Sequence, residues 1–115
     1  MGMTEQDKIK LIACLQSQRE AMCEELPIYD SLIGYNLFLV LCQYELLEKA
    51  PRLKDIHLEL GRSQGAVRRL VTSLSADGWV TIAKSNGDQR SRYAVATPKL
   101  KQAIAKFTQS IHANC

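Results

Sequence analysis

Gln64, Gly65, Arg68, Arg69 and Thr72 fall within nine consecutive positions. Their types are short or rich in hydrogen-bond donors, and no acid stands among them. Between them run Val67, Leu70, Val71 and Leu74 at i, i+3, i+4 and i+7, the apolar stripe of one helix. The donor-rich residues therefore share the opposite, outward face. Ser63, just ahead, has the side chain of an N-cap, able to accept from the unpaired amides of a first helical turn. Gly78 stands past the stripe as a C-terminal stop. Donors near the start of an exposed helix face suit recognition of base edges in a DNA major groove. The competing reading of this stretch alone is a solvated amphipathic helix.

What surrounds the stretch decides between the two. Leu53, Ile56, His57 and Leu60 lie at helical spacing, which predicts a helix over residues 52–60. Gly61-Arg62-Ser63 then makes a turn into the helix over residues 63–77. After Gly78, Trp79 to Ala83 alternates as a strand, residues 84–91 form a polar loop with Asn86-Gly87 as its turn signal, and Arg92 to Ala96 returns as a second strand. Helix, turn, helix and hairpin in that order predict a winged helix-turn-helix. Lys84, Arg90 and Arg92 give the hairpin three cations with only Asp88 opposed. An arginine at such a tip suits the minor groove. Asp88, two residues before Arg90, is placed to steer it. A solvated loop with an ordinary surface ion pair is the alternative.

The rest of the chain supplies helices. Thr4 to Glu25 is one, with Thr4 as cap and Asp7 three positions on. Its Ile12, Leu15, Arg19, Met22 and Leu26 follow a three-four spacing suited to a partner helix. That partner is either a second copy of the chain or the C-terminal helix of the same one. Pro27 ends this helix. A second runs from Tyr35 to Lys49, capped at Asp30 or Ser31. It is apolar nearly all round through Leu37 to Cys42, and is expected at the centre of the core. Thr97 caps a last helix with Pro98 at its first position, and Leu100, Ala103, Ile104, Phe107 and Ile111 form its apolar stripe. The expected class is mainly α with a small β-hairpin. Residues 33–97 are the winged helix-turn-helix DNA-binding domain, and 1–32 and 98–115 are N- and C-terminal dimerisation helices.

A chain of 115 residues suits one domain. Its net charge of +3 is unevenly placed. Residues 1–51 hold eight acids against four Lys and Arg, whereas residues 52–115 hold eleven Lys and Arg against four acids. A basic half that also carries the helix-turn-helix fits a polyanion. No apolar run reaches the roughly 18 residues of a membrane span, and the acidic, polar start is unlike a signal peptide. These features predict a cytoplasmic protein without a membrane partner. The four cysteines, Cys14, Cys23, Cys42 and Cys115, lack zinc-site spacing. Reduced thiols are expected, with Cys42 a small buried hydrophobe. Neither His57 nor His112 has a carboxylate or cysteine beside it that builds a ligand set. No nucleophile–base pair and no phosphate-cradling glycine loop is present. The sequence thus predicts no enzyme, no metal and no cofactor.

LGRSQGAVRRLVTSLSADGWV and GDQRSRYAVATP resemble the recognition helix and the wing of the MarR family of winged-helix transcription regulators. LKDIHLEL looks like the helix before the turn, and Asp88-Gln89-Arg90 matches the family's Asp-x-Arg wing signature. The similarity covers about residues 33–100. It implies a homodimer joined through its terminal helices on a pseudo-palindromic operator of double-stranded DNA. It implies a repressor released by a small phenolic effector or by thiol oxidation. Carried over by position, Gln64, Gly65, Arg68 and Thr72 meet the major groove, Ser63 and Arg69 give backbone contacts or local support, and Arg90 enters the minor groove steered by Asp88. Some members sense peroxide through an N-terminal-helix cysteine near tyrosines. Cys14 and Cys23, with Tyr29, Tyr35 and Tyr44, are the candidates for that role, with packing as the competing explanation. Outside the resemblance, a winged helix acting as a protein-interaction module is the rival function.

Overall fold

A computed structural model of the chain describes residues 2–27, 31–84 and 91–114. Its elements are α1 (Glu5–Glu25), α2 (Leu32–Leu46), α3 (Leu53–Leu60), α4 (Gln64–Ala76), β1 (Val80–Lys84), β2 (Arg92–Ala96) and α5 (Pro98–Asn114). This is the mainly helical winged helix-turn-helix that the hydrophobic periods predict.

The helix starts follow from side chains that satisfy orphan amides. Thr4 and Asp7 form a reciprocal capping box on α1, with Asp7 N donating to Thr4 Oγ1 at 3.1 Å and Thr4 N to Asp7 Oδ2 at 3.2 Å. Ser31 Oγ accepts from Gly34 N at 3.1 Å and so starts α2 at Leu32, three residues before the expected Tyr35. The alternative cap, Asp30, lies outside the described residues. Gly34, expected in the connection, is a buried helical residue. The C-terminal end of α2 shifts the same way, to Leu46, after which Glu48 adopts a left-handed φ of 57°. Leu37, Phe38, Leu41 and Cys42 of α2 are buried, while Leu39 stays 39% exposed. The helix is therefore central to the core without being covered all round. Burial pushes the Cys42 thiol up to about 12.

Gly61, at φ 62°, closes α3 in the left-handed conformation that glycine adopts without a Cβ clash. The antiparallel hairpin pairs Val80 with Ala96 and Lys84 with Arg92 at its two ends. β1 starts one residue later than the alternation predicts, because the Trp79 amide turns back to α4 instead of the opposite strand. That amide donates to Leu74 O at 2.9 Å, and the Trp79 carbonyl accepts from Thr97 N at 3.1 Å. Thr97 ties the hairpin base further, its hydroxyl donating to Gly78 O at 2.7 Å and lying 2.9 Å from Trp79 O. The same oxygen accepts from Leu100 N at 3.4 Å and so caps α5. On the other side of the hairpin, Ala94 N donates to Pro51 O at 2.9 Å, and Arg52 bridges antiparallel to Tyr93. The wing is thus stitched to the start of α3.

The core joins Leu37, Phe38 and Leu41 with Ile56, Val67, Val71, Leu74, Leu100 and Ile104. Phe38 meets Phe107 of α5 edge to face, with ring centroids 5.4 Å apart. α1 contributes Met22, and its C-cap residue, half-buried Leu26, packs beside it on the core. Earlier on that helix, Ile9, Leu11, Ile12 and Leu15 remain more than half exposed. The molecule is elongated, at 55 × 27 × 25 Å, and the 21 residues of α1 span about 32 Å at 1.5 Å per residue.

Candidate nucleic-acid interface

α4 is fixed in its roll by what it buries. Val67, Val71 and Leu74 are at most 1% exposed, and Ala66 N donates to Ser63 Oγ at 3.2 Å at the first turn. The 3.6-residue period then leaves Gln64, Gly65, Arg68, Arg69 and Thr72 exposed together. A Cβ built on Gly65 meets nothing within 4 Å. The free chain therefore does not require glycine there, although glycine costs a helix roughly 0.5–1 kcal/mol relative to alanine in its interior.

Between α3, α4 and the hairpin runs a groove of about 720 Å³. Arg52, Lys54 and His57 line it from the α3 side, Gln64 and Arg68 from α4, and Arg92 from β2. Thr72 and Ser91 complete its polar wall, over a floor that includes Val67 and Ile82. Among the described residues that line it, none is acidic. The two acids of α3 are occupied. Asp55 takes Arg52 in a bidentate pair, with Nε and Nη2 each 3.1 Å from a carboxylate oxygen. That bonding, above all, holds the Asp55 carboxyl below its ordinary range and Arg52 above its own. Glu59, on the same helix, accepts from the Tyr44 hydroxyl at 3.1 Å. Partial desolvation first, and this bond second, push that hydroxyl up. Lys54, Arg68 and Arg92 carry their charge toward solvent without an ion pair among the described residues.

Of the residues singled out in the sequence, the structure brings Gln64, Arg68, Thr72 and Arg92 to one groove. Gly65 and Arg69 are exposed on the same helix without lining it. Ser63 spends its hydroxyl on the cap. Lys84 pairs in register with Arg92 and is exposed at the end of β1. Asp88 and Arg90, the expected wing signature, lie outside the described residues. Arg52, Lys54 and His57 join the groove although sequence reasoning does not single them out for it. A partial signal exists, since Lys54 and His57 are three apart on a helix and so share a face.

Of the cysteines and tyrosines singled out together, Cys23 and Tyr35 line one cleft beside Met22. Among the described residues no group of three His, Cys, Asp or Glu is placed to hold a metal. Cys14 is disulfide-bonded, which corrects the expectation of reduced thiols at that position. Cys23 is exposed and Cys42 buried, while Tyr29 and Cys115 lie outside the described residues. No helix among those described is long and apolar enough to cross a membrane.

No family model and no curated protein matches the sequence. Solved structures do match the fold. The transcriptional regulator Tm0710 from Thermotoga maritima is 24% identical and superposes with a TM-score of 0.66 over 92% of this chain and 72% of its own. BpsR of Bordetella bronchiseptica, whose DNA binding is regulated by 6-hydroxynicotinic acid, is 22% identical, with a TM-score of 0.57 over 98% and 81% of the two chains. Reduced AbfR, solved bound to DNA, is 17% identical, with a TM-score of 0.64 over 96% and 83%. The fold is that of the MarR-like winged-helix regulators. In this MarR-like architecture α3 and α4 are the helix-turn-helix, β1 and β2 are the base of the wing, and α1 and α5 are the flanking helices.

Proposed function

We propose that the chain is a sequence-specific, double-stranded DNA-binding transcriptional regulator, a dimeric MarR-like repressor rather than an enzyme. In this reading it recognises the major groove with helix 63–77 and the minor groove with wing 84–91. The observation that carries it is the groove where Lys54, Arg68 and Arg92 converge with Gln64 and Thr72 and no acid among the described lining residues. Such a surface attracts phosphates through its cations and leaves hydrogen-bonding side chains for base edges. In this reading Gln64, Gly65, Arg68 and Thr72 touch bases. Ser63, Arg69, Lys84 and Arg92 hold the backbone, and Arg90, steered by Asp88, enters the minor groove. The DNA-bound state of AbfR, which shares the fold, supports the same docking here.

Residues 33–97 form the DNA-binding part, and 1–32 and 98–115 join two protomers. The exposed Ile9, Leu11, Ile12 and Leu15 support that division, because an apolar stripe left in water is stabilised by a second helix. A small aromatic effector also fits this reading. A cleft of about 380 Å³ offers Leu15, Met22 and Leu32 as apolar walls, with Arg19 and Tyr35 as polar ones. BpsR, regulated by a hydroxylated aromatic acid, supplies the parallel. A repressor of this kind works in the cytoplasm.

Selection of bound duplexes from a random pool, repeated at two salt concentrations, tests the proposal. A recurrent pseudo-palindromic motif, with half-sites about 10 bp apart centre to centre and weaker binding at high salt, is expected. Recovery of unselected sequences, with a stable protein partner captured instead, would assign the chain to protein interaction. Light scattering in solution tests the dimer.

A further inference from the structure

We propose that His57 is a protonation-dependent phosphate contact, so that docking of a duplex takes up a proton at this ring and DNA affinity rises as pH falls. The inference rests on the DNA reading above and adds a mode of control to the same groove.

Three features of the site lead to it. First, the ring is anchored: His57 Nδ1 hydrogen-bonds to the backbone carbonyl of Arg62, in the turn between α3 and α4. A carbonyl only accepts, so Nδ1 must carry the hydrogen, and Nε2 is the atom left to gain or lose a proton. Second, the ring lines the groove, with Arg52 and Lys54 beside it on the α3 side, Gln64 and Arg68 facing it from α4, and Arg92 from β2. Third, the acids of its own helix are engaged elsewhere, Asp55 by Arg52 and Glu59 by Tyr44. No carboxylate among the described groove residues stands ready to neutralise an imidazolium. A phosphate laid along this groove supplies the missing negative charge. An imidazolium Nε2–H is a charge-assisted donor to a phosphate oxygen, whereas neutral Nε2 is an acceptor facing another acceptor. Phosphate binding and protonation then favour each other by the same factor.

Fluorescence anisotropy titrations of the selected duplex at about pH 5.5 and pH 8, at one ionic strength, test this where imidazole changes charge. The wild-type chain is expected to bind about three- to tenfold tighter at the lower pH. Its slope of log affinity against log salt should also steepen by about 0.9 for each added phosphate contact. In His57→Asn the amide nitrogen keeps a donor near the Nδ1 position but cannot titrate. This variant should lose both the gain at the lower pH and the extra slope. His57→Gln should flatten the profile likewise, and serves if His57→Asn melts early. His112→Asn, at the exposed end of α5, should leave the profile as in wild type. A His57→Asn profile as steep as wild type, or a wild-type profile that is flat while the selected duplex binds, overturns the assignment. Absence of salt-sensitive binding at both pH values overturns the DNA reading itself.

Discussion

Arg68→Ala separates base reading from simple attraction to phosphate. Arg68 stands on the exposed face of α4, one turn after Gln64 and one before Thr72, and no ion pair holds it among the described residues. Its removal breaks no ion pair of the folded chain, and alanine is the better helix former. Stability should stay within about 0.5 kcal/mol of wild type, so a change in binding belongs to the interface. A bidentate arginine–guanine contact is worth about 1–3 kcal/mol. Without it the specific duplex should bind about 5- to 150-fold more weakly per protomer engaged. A scrambled duplex, bound only through phosphates, should weaken far less, and the salt slope should hardly move. Arg92→Ala gives the contrast. Sited at the wing base, it should weaken both duplexes by similar factors and lower the salt slope by about 0.9 for each phosphate that the arginine neutralises. Competition anisotropy with matched and scrambled duplexes at several salt concentrations measures all of these effects. An equal factor on both duplexes for Arg68→Ala, or no change on either, refutes base reading by this side chain.

Gly65→Ala should act in opposite directions in two assays: urea unfolding should show a gain of up to about 0.5–1 kcal/mol, since a Cβ there meets nothing within 4 Å, while specific DNA binding weakens as the methyl crowds the base edges. Thr97→Val removes the hydroxyl that joins Gly78, Trp79 and Leu100; destabilisation by about 1–2 kcal/mol is expected in the same urea assay, with amide exchange speeding up first at the hairpin base. Asp55 titrates below the ordinary range in the folded chain because Arg52 bonds its carboxylate. The stabilisation this provides is therefore complete above the unfolded value of about 3.9 and is lost as pH falls through the lower folded value. Across that acid window the wild type should lose stability that Asp55→Asn, already without the pair, does not lose.

The chain's own pattern determined which residues of α4 face in and which face out. A period of 3.6 with a serine cap leaves one solution for Val67, Val71 and Leu74, and the polar face follows from it. The hairpin and the caps at Thr4 and Ser63 were legible for the same reason, because each depends on residues close together in the chain. Ser31 against Asp30, and the true limits of α2, were not. Gly34 punctuates a sequence, but in the fold it is buried within the helix. The exposure of Ile12 and Leu15 was equally beyond the pattern, since a stripe records amphipathicity and not what covers it. Only the tertiary structure made the groove. Pro51 pairs with Ala94, far away in the chain, and that long-range bond sets the start of α3 against the wing. It thereby carries Arg52, Lys54 and His57 to the same wall as Arg68 and Arg92. Local spacing fixes a side chain's direction around its own helix, whereas contacts between elements fix where that helix lies.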